Sequence, residues 1–161
     1  MTVRKPFILL WLEDQIEQIE KPVNELTKRL RAARKTPIRL IKAQSLEEAR
    51  KILCNKKRLI PDLLILDIIL PRDEIARQAV PPRVDMNAGY LLWHMMRKQK
   101  PWSDRLSAIP ICVVSARARP VFRSQMEADD NLVWCEKPIP PRDILSAIMS
   151  LLDENVSRTT T

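Results

Sequence analysis

Polar residues that could do chemistry follow four apolar segments of this chain. Glu13 and Asp14 follow the first segment, Asp67 ends the run PDLLILD, and the pairs Ser115-Ala116 and Lys137-Pro138 end the last two. If these segments are parallel strands of one open sheet, their carboxyl ends meet at one edge, where ligands bind. Three carboxylates can hold a hard divalent cation through oxygen atoms. A carboxylate beside such a cation can attack phosphorus and form an aspartyl phosphate, whose oxygens the cation, the lysine and the hydroxyl would share.

Each of these residues also has a simpler interpretation. The run from Pro61 to Pro71 is typical of a strand buried on both faces. Asp67 must then emerge at its carboxyl end, be paired or bind metal, because an ionised Asp is almost never buried alone. It could otherwise only begin a loop, as could Glu13 and Asp14. Ser115 and Lys137 taken singly would be a strand-end hydroxyl and a surface cation, so the complete set is what favours a site.

Five apolar segments alternate with helical patterns along the chain. The expected strands are Pro6 to Leu12, Ile38 to Ile41, the run ending at Asp67, Ile109 to Ser115, and Leu132 to Glu136. This alternation predicts an α/β fold, a doubly wound parallel sheet of five strands and five helices.

The helices are expected to begin at recognisable signals. The first starts near Lys21 with Pro22 in its first turn, and the second has Ser45 as N-cap with Glu48 reaching back. The second would end in the basic turn Lys56 to Arg58. The other three are expected from Tyr90 to Arg97 after an Asn87 cap, from Val121 to Ala128, and from Pro140 onward.

Three further segments are expected to lie outside these elements. Residues 101 to 108 are predicted to be a loop. The polar, proline-broken stretch Arg72 to Met86 is predicted to be an insert, and Glu154 to Thr161 a polar, disordered tail. Together these assignments predict one domain over residues 1–153 with a polar tail at 154–161.

Composition excludes several classes of protein. The 161 residues are 45% hydrophobic, and no apolar run approaches the roughly 20 residues that span a bilayer. The N-terminus resembles a strand rather than a signal peptide. A single glycine excludes glycine-rich phosphate loops, and the lone His94 excludes two-histidine zinc sites. Three cysteines without metal spacing indicate reduced thiols in a cytoplasmic protein.

Positive charge is concentrated in residues 21 to 58. This segment has thirteen Lys or Arg against three Glu, and the whole chain has a formal net charge of +8. The cations occur at helical spacings between apolar positions, which favours a solvated helix face. A nucleic-acid surface is the alternative, although we expect neither a nucleic-acid partner nor membrane insertion.

The strand-end residues resemble those of the receiver domains of two-component response regulators, from about Phe7 to Leu152. That family has an acidic pair after strand one, an acceptor Asp in a D-x-x-x-P motif, Ser or Thr before Ala, and a Lys-Pro pair. The matching residues here are Glu13-Asp14, Asp67 to Pro71, Ser115-Ala116 and Lys137-Pro138. The resemblance implies a flavodoxin-like sheet of order 2-1-3-4-5.

The resemblance also implies a role for each residue. Asp67 would be the phospho-acceptor; Mg²⁺ or Mn²⁺ would be held by Asp14, Asp67 and the Ile69 carbonyl, with Glu13 acting through water. Ser115, Lys137 and the Ala116 backbone would contact the phosphoryl group. Ser115 and Trp134 would be the switch residues, while Ile69 and Arg117 would tune phosphoryl lifetime.

Departures from the family pattern lie close to this site. Ile69 is apolar where a polar or Met residue is common, Trp134 is bulkier than the usual aromatic, and the family lacks the insert Arg72 to Met86. We hypothesise that the insert covers part of the pocket or docks a partner.

The expected function is therefore that of a receiver that forms a stand-alone domain. A histidine kinase or phosphotransfer protein would phosphorylate Asp67 and switch a face that binds a downstream protein, with a homodimer as a further expectation. No catalysis beyond slow self-dephosphorylation is expected. The alternatives are a scaffold module that is never phosphorylated and a nucleic-acid-binding protein using residues 21–58.

Overall fold

Strands and helices alternate along the polypeptide. The computed structural model describes residues 5–55, 60–70, 88–116 and 120–159, with side chains described to residue 156. In chain order the elements are β1 (Phe7–Leu12), α1 (Glu20–Arg34), β2 (Ile38–Ala43), α2 (Leu46–Cys54), β3 (Leu63–Leu66), α3 (Ala88–Lys98), α4 (Trp102–Leu106), β4 (Ile111–Ser115), α5 (Pro120–Glu127), β5 (Leu132–Glu136) and α6 (Pro141–Thr159).

The five strands form one parallel sheet in the order β2-β1-β3-β4-β5. The predicted flavodoxin-like topology is confirmed. Helices α2, α3 and α4 cover one face and α1 and α6 cover the other. Because both faces are covered, β1, β3 and β4 are buried along their whole length, which explains their continuous apolar sequences.

The first helix begins as its sequence predicts. Pro22 lies in the first turn of α1, where its missing N–H costs no hydrogen bond. Val23, Leu26 and Leu30 face the core. Lys35 ends the helix in the left-handed conformation with φ 50°.

The cap of the second helix is nearly as predicted. The Ser45 hydroxyl accepts a hydrogen bond from the Glu48 N–H at 3.2 Å. The Glu48 carboxylate accepts from the Gln44 N–H at 2.7 Å, one residue before the position that a capping box uses. The basic turn Lys56 to Arg58 lies outside the described residues.

Two predicted boundaries are wrong. The expected loop 101–108 contains α4, so the described chain has six helices rather than five, and Trp102 and Leu106 pack on the core. The last helix does not give way to a tail at Glu154 but continues to Thr159. There the Asn155 amide donates to Asn131 Oδ1 at 2.6 Å and to the Leu151 carbonyl at 2.9 Å, which ties this turn to the domain.

The insert Arg72 to Met86 and Asn87 lie outside the described residues. Among the helices that the structure describes, none has both the length and the apolar composition needed to cross a bilayer. Cys112 and Cys135 are buried in neighbouring strands and Cys54 is exposed, all three as free thiols.

Candidate functional site

Four of the predicted site residues meet at the carboxyl edge of the sheet. Glu13 follows β1, Asp67 follows β3, Ser115 ends β4 and Lys137 follows β5. Backbone pairing continues to this edge, because the Asp67 N–H donates to the Leu12 carbonyl at 2.9 Å and the Lys137 N–H to the Ser115 carbonyl at 3.1 Å. The sheet itself therefore places these four side chains next to one another.

Asp67 is buried, with 6% of its surface exposed, and both of its carboxylate oxygens are paired. Oδ1 accepts hydrogen bonds from the Ser115 hydroxyl at 2.8 Å and from the Ile69 N–H at 3.1 Å. Oδ2 accepts from the Lys137 ammonium at 2.7 Å. A buried carboxylate is stable when it is paired and hydrogen-bonded in this way.

Lys137 connects two carboxylates. Its ammonium lies 2.6 Å from Glu13 Oε2 as well as 2.7 Å from Asp67 Oδ2. Burial opposes the charged form, but the Asp67 and Glu13 carboxylates together hold the pKa of Lys137 above its ordinary value. The family resemblance implies only a metal-binding role for Glu13, so its contact with Lys137 is an additional finding.

Negative charge exceeds positive charge in this cluster. Burial, the largest influence, raises the pKa of Glu13 to about 7; the charge of Asp67 adds to this effect and Lys137 opposes it. Each of Glu13, Asp14 and Asp67 offers a carboxylate oxygen, and the three oxygens lie within 4.8 Å of one another. Hard oxygen ligands at this spacing, with Asp14 half-buried, fit a divalent cation such as Mg²⁺.

The start of α3 touches the backbone at Asp67. The Gly89 N–H donates to the Ile68 carbonyl at 2.9 Å. A β-carbon on Gly89 would lie 2.5 Å from the Asp67 carbonyl oxygen and 2.6 Å from the Ile68 α-carbon. Gly89 is the only glycine of the chain and lies at the start of a helix, which is the one sequence signal for this contact; Gly89 was not among the predicted site residues.

Trp134 lies on β5, three residues before Lys137, and is half-buried. Its indole Nε1 is buried and has no hydrogen-bond partner in the part of the chain that the structure describes. The Arg123 guanidinium lies 5.1 Å from the centre of its ring and bonds Glu136 at 3.0 Å. Ala116 follows Ser115 directly and is exposed, whereas Arg117 lies outside the described residues.

A second polar cluster, which the sequence did not predict, joins α3 to the turn before β5. Asp129 Oδ2 accepts from the Arg97 guanidinium at 2.7 Å and from the Trp93 indole at 2.8 Å. Arg97 also donates to the carbonyls of Leu106 and Ile109. These partners are far apart in sequence, so no local pattern could have revealed them.

No family model matches this chain, and no curated protein matches it. Solved structures resemble it along nearly their whole length, among them the following three. They are a receiver domain protein from Methanospirillum hungatei JF-1 (20% identity, TM-score 0.62, 96% of this chain and 99% of that chain), a protein assigned as a response regulator from Chloroflexus aurantiacus J-10-fl (26%, 0.58, 92% and 99%), and the signal receiver domain of an HD domain-containing protein from Pseudomonas fluorescens Pf-5 (18%, 0.63, 96% and 99%).

The TM-scores of 0.58 to 0.63 show that these structures and this chain share one overall fold. Five of the residues that were predicted from the resemblance lie together at the carboxyl edge of the sheet: Glu13, Asp14, Asp67, Ser115 and Lys137. The chain therefore has the fold of the response-regulator receiver domains.

Proposed function

We propose that this protein is a phospho-accepting receiver in which Asp67 takes a phosphoryl group from a phosphohistidine donor. The observation that carries the proposal is the set of contacts around the Asp67 carboxylate. Ser115 and Lys137 both reach it within 2.8 Å, and three carboxylates converge where a divalent cation would bind.

A carboxylate oxygen of Asp67 attacks phosphorus, the phosphorus–nitrogen bond to the donor imidazole breaks, and an acyl phosphate forms. Lys137 offsets the repulsion between the carboxylate and the incoming phosphoryl oxygens, and afterwards pairs with one of those oxygens. Ser115 releases Asp67 and donates its hydroxyl hydrogen to the phosphoryl group, beside the Ala116 backbone.

Mg²⁺ or Mn²⁺ would be held by Asp14, Asp67 and the Ile69 carbonyl, with Glu13 contributing through water. When bound, the cation neutralises the charge that develops on the transferred phosphoryl group. Ile69 and Arg117 would influence how long the acyl phosphate survives, and its hydrolysis within this domain would be slow.

The output is a change in the surface formed by α5, β5 and α6. The Ser115 hydroxyl, at the end of β4, leaves Asp67 for the phosphoryl group. Trp134 lies on the paired strand β5 opposite Val113, and Arg123 of α5 covers its ring, so these side chains connect the site to the surface. Phosphorylation then shifts the population of two conformations of this surface. A downstream protein would bind one of the two.

The test is incubation with acetyl phosphate, with and without Mg²⁺, followed by intact mass measurement. We expect one phosphoryl group per chain in the presence of Mg²⁺, and none in Asp67→Asn. Asp62→Asn is the matched control, since Asp62 lies in front of the same strand and bonds the Ile8 N–H away from the site. Failure of the wild type to gain mass would favour a scaffold that is never phosphorylated.

A further inference from the structure

Positive charge is polarised across the sheet. Residues 20–55, which form α1, β2 and α2, contain ten Lys or Arg against four Glu. Residues 132–156, which form β5 and most of α6, contain two Lys or Arg against four Asp or Glu. Because β2 and β5 are the two outer strands, the cations and the acids lie at opposite edges of the domain. We call the exposed surface of α1, β2 and α2 the basic edge.

Some of the cations on the basic edge are already engaged. Arg29 pairs with Glu25 at 2.7 Å and Lys51 with Glu47 at 2.9 Å. The Arg34 guanidinium lies over the Phe7 ring, 4.6 Å from its centre. In these three contacts the positive charges stabilise the helices and their packing within the domain.

Six further cations are exposed and have no ion pair among the residues that the structure describes. They are Lys21, Lys28, Arg31, Arg39, Lys42 and Arg50. The helical spacing of the sequence favours a solvated face, on which ion pairs between neighbouring turns are common. Six cations without an ion pair, collected at one edge, repel one another and attract an anionic partner.

The basic edge is a band that extends from one face of the sheet to the other rather than a patch on a single face. Helix α1 packs on one face of the sheet and α2 on the other. Arg39 and Lys42 project from β2, the outer strand between the two helices. A flat bilayer can contact only one side of such a band, whereas a strand of linked phosphates can follow it round.

The chemistry of the surface indicates which polyanion it fits. In the described chain the large apolar side chains that are exposed are Ile60, Val121 and Val156, and none belongs to α1, β2 or α2. Protein partners are held mainly by buried aromatic and apolar anchors, which this surface lacks. The phosphodiester backbone of nucleic acid requires only cations, and contacts to it read no base sequence.

We propose that the basic edge binds the phosphodiester backbone of nucleic acid without base specificity. This surface is separate from the Asp67 site, so binding does not depend on phosphorylation. With about five cations neutralising phosphates, the affinity for a single strand should fall roughly 100-fold between 50 and 200 mM salt.

The experiment measures fluorescence anisotropy of short labelled DNA and RNA strands of several sequences against the full chain in a salt series. The test variant is Arg31→Glu with Arg39→Glu and Lys42→Glu. The control variant, Lys98→Glu with Lys100→Glu and Arg142→Glu, changes the net charge equally at exposed positions elsewhere. We expect binding that is independent of sequence, a loss of at least about tenfold in the test variant, and a much smaller loss in the control.

Three results would overturn the proposal: equal losses in the two variants, no binding at low salt, or stronger binding to phosphatidylserine vesicles than to nucleic acid. The neutral variant Arg31→Gln with Arg39→Gln controls for misfolding caused by the introduced glutamates. It should lose part of the affinity for nucleic acid. Mg²⁺-dependent mass gain at Asp67 should be unchanged in all variants. A chain that binds nucleic acid but gains no phosphoryl group would refute the proposed phospho-acceptor function and would still support nucleic-acid binding by the basic edge.

Discussion

Gly89 presses its α-carbon against the backbone of Asp67, so closely that a β-carbon would lie 2.5 Å from the Asp67 carbonyl oxygen. In an ordinary helix, replacing Gly with Ala stabilises by about 1 kcal/mol. Here the obstacle is backbone, which cannot rotate away. We predict that Gly89→Ala lowers the free energy of unfolding by about 1–3 kcal/mol, the range for overpacking a tight site.

Urea denaturation followed by circular dichroism measures this effect. The exposed Ala32→Gly in α1 is the control for ordinary helix propensity, and it should cost about 1 kcal/mol. A Gly89→Ala variant as stable as the wild type would show that α3 does not press on the Asp67 backbone.

Lys137 should stabilise the folded protein because its ammonium pairs with the carboxylates of both Glu13 and Asp67, which would otherwise repel each other. We predict that Lys137→Met destabilises the metal-free protein by up to about 3 kcal/mol, the lower end for breaking a buried ion pair, since 31% of its side chain is exposed. Adding Glu13→Gln to Lys137→Met should restore part of the loss, because one uncompensated buried charge is removed.

A double-mutant cycle in urea with a chelator present tests the coupling between Lys137 and Glu13. Lys98→Met, at an exposed position, should have little effect. Strict additivity of Lys137→Met and Glu13→Gln would contradict the 2.6 Å contact between these side chains.

Asp129 should make stability depend on acid pH. Burial would raise the pKa of Asp129, but the Trp93 indole and the Arg97 guanidinium outweigh it and hold the pKa below the ordinary value of 3.8. A lowered pKa in the folded state means that the contribution is complete above about pH 4 and is lost as the pH falls through the folded value. We predict that Asp129→Asn costs about 3 kcal/mol or more at neutral pH, because Arg97 is left unpaired with 7% of its side chain exposed.

The measurement is the difference in unfolding free energy between wild type and Asp129→Asn from pH 7 to pH 3. It should be constant near neutrality and shrink below about pH 4. Asp104→Asn, at an exposed surface pair, should show no such trend. A difference that grows on acidification would contradict a lowered pKa of Asp129 in the folded protein.

Trp134 should report phosphorylation by its fluorescence. Arg123 covers its ring, and Lys137 follows three residues later on the same strand. We predict that beryllofluoride with Mg²⁺ changes the emission of the wild type and of Trp102→Phe, but not of Trp134→Phe. Trp102 lies in α4 and packs on the core. Retention of the full signal in Trp134→Phe would exclude Trp134 as the responding residue.

The sheet was predictable because its strands are short apolar runs whose ends carry distinctive polar residues. Asp67, Ser115 and Lys137 could be assigned to one edge because parallel strands align their carboxyl ends. Helix α4 was missed because five residues after a proline show no amphipathic repeat, and the packing of Trp102 and Leu106 on the core is a tertiary contact that the sequence does not reveal.

Contacts between residues that are distant in sequence could not be predicted from the sequence. Glu13 and Lys137 are 124 positions apart, and Arg97 and Asp129 are 32 apart. The continuation of α6 past Glu154 was missed for the same reason, since the polar residues there look like a tail until Asn155 meets Asn131. Gly89 had a visible signal, but its function depends on a backbone contact that only the fold creates.

The central claim is that Asp67 itself carries the phosphoryl group. The most direct test phosphorylates the chain with acetyl phosphate and Mg²⁺, reduces the acyl phosphate with borohydride, and maps peptides by mass spectrometry. Reduction of an aspartyl phosphate leaves homoserine, so we predict homoserine at position 67 and no reduced side chain at any other acidic position. Homoserine at Asp14, 5-hydroxynorvaline (the corresponding reduction product of a glutamyl phosphate) at Glu13, or an unmodified Asp67 in a chain that has gained phosphoryl mass would contradict this claim.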